Sequence, residues 1–487
     1  MAQKEYSVGY ALFIACAAAI GGFLFGFDTS VINGTLDALR FKLGANDAQL
    51  GLAASIAVLG AACGAFFAGA LADKFGRRRV MITSSILFLI SAIGSGNPYF
   101  FTTAGTAANM IEFIVWRVIG GVGVGAASII VPAYIAEIAP APLRGRLATM
   151  QQFAIVIGIF AALLSNYFLG EIAGGGAVVM DHTTRLASDV TKIGSFETWQ
   201  WMFWVECIPA ALYGLLVLFI PESPRYLVAR KQPQKAGEIL SKILSPSIVA
   251  QKIEDIKKSL HSEVAPKFSD LLEKVAGKTR LAPIVWVGIG VAALQQFVGI
   301  NVIFYYGNVL WESVGFTQQD AMKTSVLSSV VNIASTVIAI ALVDRLGRKP
   351  LLLAGSVGMF VTLGIMAAIF GTAGLDSHGN PEISGAVAYI AVISANFYVV
   401  FFAFSWGPVC WVLLGEMFNN RIRGAALALG GLSQWISNFA ISSSFPILLA
   451  KIGLGGAYGI YCFFAFVSIF FVLKKVSETK GKELEDM

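Results

Sequence analysis

Long apolar runs alternate with short polar connections along almost the whole chain. Runs occupy 10–32, 49–71, 80–96, 112–135, 149–170 and 201–220. After a polar stretch they resume at 282–311, 322–343, 351–373, 385–414, 425–450 and 454–474. A helix rising 1.5 Å per residue needs about 20 residues to cross ~30 Å of hydrocarbon, so each run predicts one membrane-spanning helix. The runs exceed the ~10 residues of a membrane-barrel strand and lack its alternation, which excludes a barrel. The first run is too long for the apolar region of a cleaved leader, and Lys4 before it is offset by Glu5. It is read as a retained first helix.

The polar stretch 221–280 carries apolar residues at helical spacing in Gln234–Leu244 and Ile248–Leu260, with Lys and Glu between them. These predict short amphipathic helices lying against the membrane. Glu171–Thr198 predicts an irregular loop on the opposite side. Basic residues cluster in alternate loops: Lys74 to Arg79, Arg144 and Arg146, the 230–280 stretch, Arg345 to Lys349, Arg421 and Arg423, and the tail from Lys474. The positive-inside rule therefore puts both termini and the central stretch in the cytoplasm.

Composition sharpens this reading. Apolar residues make up 56% of the chain and charged ones 13%, against about 25% charged in soluble proteins. One core cannot hide that much apolar surface, so a soluble enzyme is excluded. The net charge of +6 sits in the loop clusters and signals membrane orientation rather than nucleic-acid binding. Cys16, Cys63, Cys207, Cys410 and Cys462 are scattered, with neither a disulfide framework nor a CxxC pattern. His182, His261 and His378 lie outside the runs, so no metal site and no cofactor are expected. Gly277-Lys278-Thr279 lacks the leading glycine of a phosphate loop, since Leu272 stands there. Gly121-Val-Gly-Val-Gly125 lies inside a run and predicts close helix packing rather than dinucleotide binding.

A repeat divides the chain. Asp73-Lys-Phe-Gly-Arg-Arg-Arg79 follows the second run and Asp344-Arg-Leu-Gly-Arg-Lys-Pro350 follows the eighth. Glu137 with Arg144 follows the fourth, and Glu416 with Arg423 follows the tenth at the same spacing. Glu222 and Glu478 are a third echo. The repeat predicts two six-helix bundles with a substrate site between them near mid-membrane. The expected organisation is a bundle at 1–220, a helical linker at 221–280, a second bundle at 281–476 and a tail at 477–487. Asp73, Arg77, Arg78, Glu137, Arg144, Glu222, Asp344, Arg345, Arg348, Glu416, Arg423 and Glu478 are expected to form a cytoplasmic gate. Charge-assisted pairs between the bundles would latch it shut.

Further strings complete a pattern: Gly21-Gly-Phe-Leu-Phe-Gly-Phe-Asp28, Trp116-Arg117-Val-Ile-Gly-Gly, Pro132-Ala-Tyr-Ile-Ala-Glu137, Pro221-Glu-Ser-Pro-Arg225, Gln295-Gln-Phe-Val-Gly-Ile-Asn301, Gly407-Pro-Val-Cys-Trp411 and Glu478-Thr-Lys-Gly481. Together and in order, from about residue 9 to 482, the chain resembles the sugar porters of the major facilitator superfamily. The resemblance implies an all-α polytopic membrane protein with twelve transmembrane helices in two pseudo-symmetric six-helix bundles. It implies sugar transport across a bacterial plasma membrane by a monomer, not an enzyme activity. Two departures stand out: Ser477 replaces a usual proline, and Ile159 stands where members of the family carry a sugar-contacting glutamine.

A sugar presents hydroxyls and apolar C–H faces, so a membrane site for one needs amides that both donate and accept, with rings to cover the faces. Gln295, Gln296, Asn301, Asn332 and Gln434 are amides inside apolar runs, and Phe25, Tyr305, Phe397, Trp406 and Trp435 are candidate rings. A straight helix would turn Asn301 away from Gln296, and Gly299 between them could permit a local break. Helix–helix hydrogen bonding and packing are the competing roles for these groups.

Asp28, Arg117 and Glu206 are ionisable groups inside spans, which default to function because burying charge in a bilayer is costly. An aspartate separated from its arginine partner takes up a proton, which would link protonation to conformation. The resemblance assigns that role to Asp28 and Arg117, with Glu206 an accessory. The expected function is proton-coupled import of a monosaccharide such as D-xylose or D-glucose by alternating access. A uniporter with the same site is the alternative, and a non-transporting sugar sensor is a weaker one.

Overall fold

The computed structural model describes residues 7–101, 106–140, 143–174, 179–180, 187–189, 191–262, 271–275, 278–375, 381–383, 385–418 and 422–479. Membrane-length apolar helices run in chain order over Val8–Gly34, Asp47–Phe75, Arg77–Gly96, Ala108–Ile138, Thr149–Ile172, Thr198–Phe219, Pro283–Glu312, Gln318–Ala339, Arg348–Gly371, Gly385–Glu416 and Arg423–Lys475. The last holds two spans, because the backbone leaves the helix at Gly453 (φ 68°, ψ 178°). Spans eleven and twelve are therefore 423–452 and 454–475, as the apolar runs predict.

Three spans are broken inside. Span six is Thr198–Trp204 and Cys207–Phe219, span seven is Pro283–Phe297 and Ile300–Glu312, and span ten is Gly385–Ala403 and Trp406–Glu416. Hydropathy runs straight through these breaks, since a break changes backbone direction and not composition. Irregular backbone at membrane depth survives only where protein covers it, and Glu206, Gln295, Gln296, Asn301 and Trp406 lie at or beside these breaks.

Spans two and four meet through glycine. A Cβ on Gly121 would stand 2.1 Å from the Ala57 carbonyl oxygen, and one on Gly125 would stand 1.9 Å from that of Ala61. The glycine run is thus a close-packing surface, as expected. After span six, helices Pro224–Ala229, Pro233–Ser241 and Pro246–Ser262 gather around Leu227, Val228, Ala236, Leu240 and Ile256. They contain the two amphipathic segments, and a proline opens each because it needs no N–H there. Leu272–Val275 then pairs with Lys278–Leu281 as a hairpin, which helical periodicity does not forecast. The loop expected to be irregular carries two short antiparallel pairings, Val179–Met180 with Ala187–Asp189 and Lys192–Ile193 with Phe196–Glu197.

We call the end with the basic loops the terminal end and the other the distal end. At the distal end the two halves touch. The Asn308 backbone N–H donates to Asn33 Oδ1 at 2.9 Å, Gln319 donates to Glu171, and Gly51 lies against the Ser443 carbonyl.

The terminal end carries the expected gate residues. Its described ion pairs lie within a half, not between halves. Arg77 pairs with Asp73 at 2.9 Å and with Glu137 at 3.1 Å. Glu222 accepts the Arg77 backbone N–H at 3.0 Å and the Arg78 one at 3.3 Å, and Ser223 donates to Glu137. The second half repeats this: Arg348 grips Glu416 through two bonds, at 2.9 and 2.7 Å. Glu478 accepts the Arg348 and Lys349 N–H groups at 3.0 and 2.9 Å, and Thr479 donates to Glu416 at 2.6 Å. Arg423 donates back to the Phe418 carbonyl of its own half, and Arg345 is exposed. The side chains of Arg144 and Asp344 lie outside the described residues. The repeated motif therefore staples adjoining helix ends inside each bundle: a carboxylate caps the N–H groups that open spans three and nine, where a helix start has unpaired donors.

Candidate substrate and proton sites

The amide cluster forms around the break in span seven. Gly299 takes the left-handed conformation (φ 87°) between the two helical pieces, a region that side chains with a Cβ avoid. A Cβ there would also stand 2.7 Å from the Tyr461 ring. The break brings Asn301 back toward Gln296, and its Nδ2 donates to Gln296 Oε1 at 2.5 Å. Gln296 Nε2 donates to Gln295 Oε1 at 3.3 Å, and Gln434 Nε2 from span eleven donates to the same oxygen at 2.7 Å. Gln295 Nε2 reaches the carbonyls of Trp406 and Gly407 at 2.8 and 3.2 Å, beside the break in span ten. Gln295 is thus saturated by protein and orients the others. Gln434 Oε1 is buried without a hydrogen-bond partner, an acceptor that a ligand hydroxyl would satisfy.

The candidate rings divide. Phe25 of span one and Trp435 of span eleven meet across the halves, with ring centroids 5.7 Å apart. The buried Tyr305 lies close to Asn438 and to Thr29 of the other half, one residue from Asp28. The structure corrects the expectation at Trp406: its side chain is fully buried and its N–H donates to the Leu352 carbonyl and to Ser356 Oγ. It walls span ten and offers no free face. Phe397 is corrected too. It is 53% exposed and shares a helical face with exposed Ile390 and Ile393, the spacing of a lipid-facing stripe. Asn332 is buried in span eight and outside this hydrogen-bonded network. Sequence reading passed over Gln151, a buried amide in span five whose Oε1 has no hydrogen-bond partner. Its side chain lies against Gly22 of span one. The signal was the one used elsewhere, an amide inside an apolar run.

The ionisable trio lies wholly within the first half. Arg117 NH1 donates to Asp28 Oδ1 and NH2 to the Asp28 backbone carbonyl, both at 2.8 Å. Both side chains are 1% exposed. One guanidinium therefore holds the carboxylate and the helix end that carries it. Asp28 Oδ2 and Arg117 Nε are left without hydrogen-bond partners. Arg117 also lies 5.8 Å from the Phe203 ring centroid, a cation–π contact. Glu206 occupies the break in span six, fully buried, and neither of its carboxyl oxygens has a hydrogen-bond partner. One arginine can neutralise one carboxylate, so ionising both carboxyls would leave one unopposed negative charge in a dry core, which is costly.

Two helical bundles joined at one end, with amides at a broken helix between them and a dry ion pair beside it, define a secondary transporter. The chain belongs to the sugar transporter family of the major facilitator superfamily: the family described as "Sugar (and other) transporter" matches residues 14–487. It is 52% identical to a glucose transport protein of Synechocystis sp. over 100% of this chain and 98% of that one. It is 35% identical to the D-xylose-proton symporter of Escherichia coli over 100% and 96%. Among solved structures, the E. coli xylose transporter XylE in a partially occluded inward open conformation superposes with a TM-score of 0.80 at 34% identity. That match covers 98% of this chain and 100% of that one. The protein is a multi-pass membrane sugar transporter and not an enzyme.

Proposed function

We propose that the protein imports a monosaccharide of the D-glucose or D-xylose type together with a proton, by alternating access. The bundles that move are residues 1–220 and 281–476, joined by 221–280, with 477–487 as a tail. The terminal end is cytoplasmic, in a bacterial plasma membrane, and the carrier works as a monomer.

The observation that carries the proposal is the Asp28–Arg117–Glu206 trio. Two carboxyl groups in a dry core beside one arginine are costly to bury, and proton transfer is the function that they suit. In this reading Asp28 and Arg117 couple the proton and Glu206 is the accessory acid. Tyr305 connects the two chemistries, since it belongs to the broken span that carries the amides and lies close to Thr29 beside Asp28. Sugar release that shifts span seven would disturb the Asp28 end of span one. Gln296, Asn301 and Gln434 bind hydroxyls, Gln295 orients them, and Phe25, Tyr305 and Trp435 cover the ring faces. Xylose-proton symport in one relative and glucose transport in another support the substrate class.

The test is uptake of labelled D-glucose and D-xylose into proteoliposomes with and without an inward proton gradient. Accumulation above the outside level, abolished by a protonophore, is the expected result. Equilibration unaffected by the gradient would make the protein a uniporter and the trio a structural fastening.

A further inference from the structure

The break in span seven frees a backbone carbonyl inside the second half. In an unbroken helix the Val302 N–H would donate to the Val298 carbonyl, four residues back. Here it donates to the Gly299 carbonyl instead, at 3.1 Å. Val298 is fully buried, and a carbonyl left unpaired at membrane depth is costly. The Tyr398 hydroxyl of span ten takes the place of the lost N–H and donates to the Val298 carbonyl at 2.8 Å. Tyr398 is itself fully buried, on the piece of span ten that precedes that span's own break. Gln295, on the piece of span seven before Gly299, donates in the other direction to the Trp406 and Gly407 carbonyls. The two broken spans are therefore fastened to each other twice, each lending a side chain to the other's backbone.

The amides register the angle of this break. On a straight helix Gln296 and Asn301 would point to different faces. They meet at 2.5 Å because the chain turns at Gly299 between them. A group that fixes the turn therefore fixes how the pair is presented. What tyrosine adds to phenylalanine at position 398 is one hydroxyl, and its bond goes to the break. The contrast with span twelve is direct: the Tyr458 and Tyr461 hydroxyls are also buried and have no hydrogen-bond partner.

We propose that Tyr398 is a positioning residue for sugar recognition: by holding the Val298 carbonyl, its hydroxyl sets the angle of span seven at Gly299 and with it the alignment of Asn301 and Gln296. It touches no sugar. The role rests on the reading of these amides as the sugar site.

The test is titration calorimetry of the purified full chain with D-glucose and with D-xylose. Tyr398→Phe keeps the ring and should raise the sugar Kd about 5-fold, the worth of one buried hydrogen bond. Tyr458→Phe removes a nearby buried hydroxyl that has no partner and should leave Kd unchanged. With Gln296→Ala already in place, Tyr398→Phe should add less than its effect alone, because the pair it aligns is gone. A purely structural role would lower the melting temperature and leave Kd within about 2-fold of the parent, which overturns the proposal. An undiminished loss in the Gln296→Ala background, or an equal loss in Tyr458→Phe, overturns it as well. Gln296→Ala alone tests the underlying site. If it weakens binding and Tyr398→Phe does not, only the positioning role falls. If neither changes Kd, the amides are not the sugar site and both readings fall.

Discussion

The two halves share a frame and differ in cargo. Arg77 and Arg348, Glu137 and Glu416, Glu222 and Glu478, Ser223 and Thr479 occupy matching places at the terminal end and make matching bonds. At membrane depth the match ends. The first half holds the ionisable trio, and the second holds the amides around Gly299 and on span eleven. Duplication thus preserved the staples that keep each bundle rigid, and the interior faces diverged into different chemistry. Charge in the first half suits a proton, and uncharged paired amides in the second suit a neutral polyol.

The sharpest way to break that contrast is Asp28→Asn. Gradient-driven accumulation should be lost altogether, while sugar exchange between equal concentrations persists in a counterflow assay. Loss of binding as well would place sugar recognition in the first half and dissolve the division. Next in size is Gln296→Ala, expected to weaken sugar binding by about 1–3 kcal/mol, the cost of leaving hydrogen-bonding groups unpaired. Titration calorimetry on purified protein reads it, and unchanged affinity would remove Gln296 from the site.

A smaller effect separates the two staples. Arg348 holds Glu416 through two short bonds, while Arg77 divides itself between Asp73 and Glu137. Lysine keeps a point charge and loses the fork. Arg348→Lys should therefore cost about 1–2 kcal/mol of stability in denaturant titration, and Arg77→Lys less. The reverse order would show that burial around Glu137 outweighs bond geometry.

The smallest expected effect is one of pH at the distal mouth. Burial holds the Asp37 carboxyl above the ordinary carboxylate range, with a hydrogen bond to Glu312 of the other half and the nearby Arg40 acting the opposite way. Arg40 itself pairs with Asp47 at 2.6 Å. Parting of the halves would expose Asp37 to water, so the closed state binds the proton more tightly. Acid then favours closure. That advantage is complete below about pH 4, fades as pH rises toward the elevated value, and is gone above it. Maleimide labelling of a cysteine placed at Leu449, taken relative to the Asp37→Asn variant at each pH to remove the thiol's own titration, should speed up a few-fold over that range. A slope of opposite sign would mean that Asp37 is buried more deeply in the open state.

The apolar periodicity, the loop charges and the repeat were legible because each is a property of composition and order. Twelve spans follow from runs long enough to cross a bilayer, and the glycine run of span four reads directly as a packing face. Sequence also marked Asp28, Arg117 and the Gln295–Asn301 cluster, because a polar group inside an apolar run is conspicuous wherever it points. What it could not supply was direction. Trp406 and Phe397 look equally suitable as sugar-facing rings, yet one is sealed behind span nine's carbonyl and hydroxyl and the other lies on an exposed stripe. The charged loop motifs were legible too, but not the partners their residues meet in this structure, because motif spacing records which helix end a charge occupies and not which neighbour it meets.

Composition and order along the chain therefore determined the spans, the twofold repeat and the set of groups too polar for their surroundings. Only the tertiary structure decided that the ion pairs close within each half, that Gln295 orients the other amides, and that Asn33 reaches across to Asn308. The physical reason is range. Hydropathy and helix propensity act over a few residues, whereas a side chain's partner depends on how distant spans cross. That crossing was set here by backbone breaks, one at Gly299, which its place between the amides marked, and one at Val31–Gly34, which a run of apolar residues does not reveal.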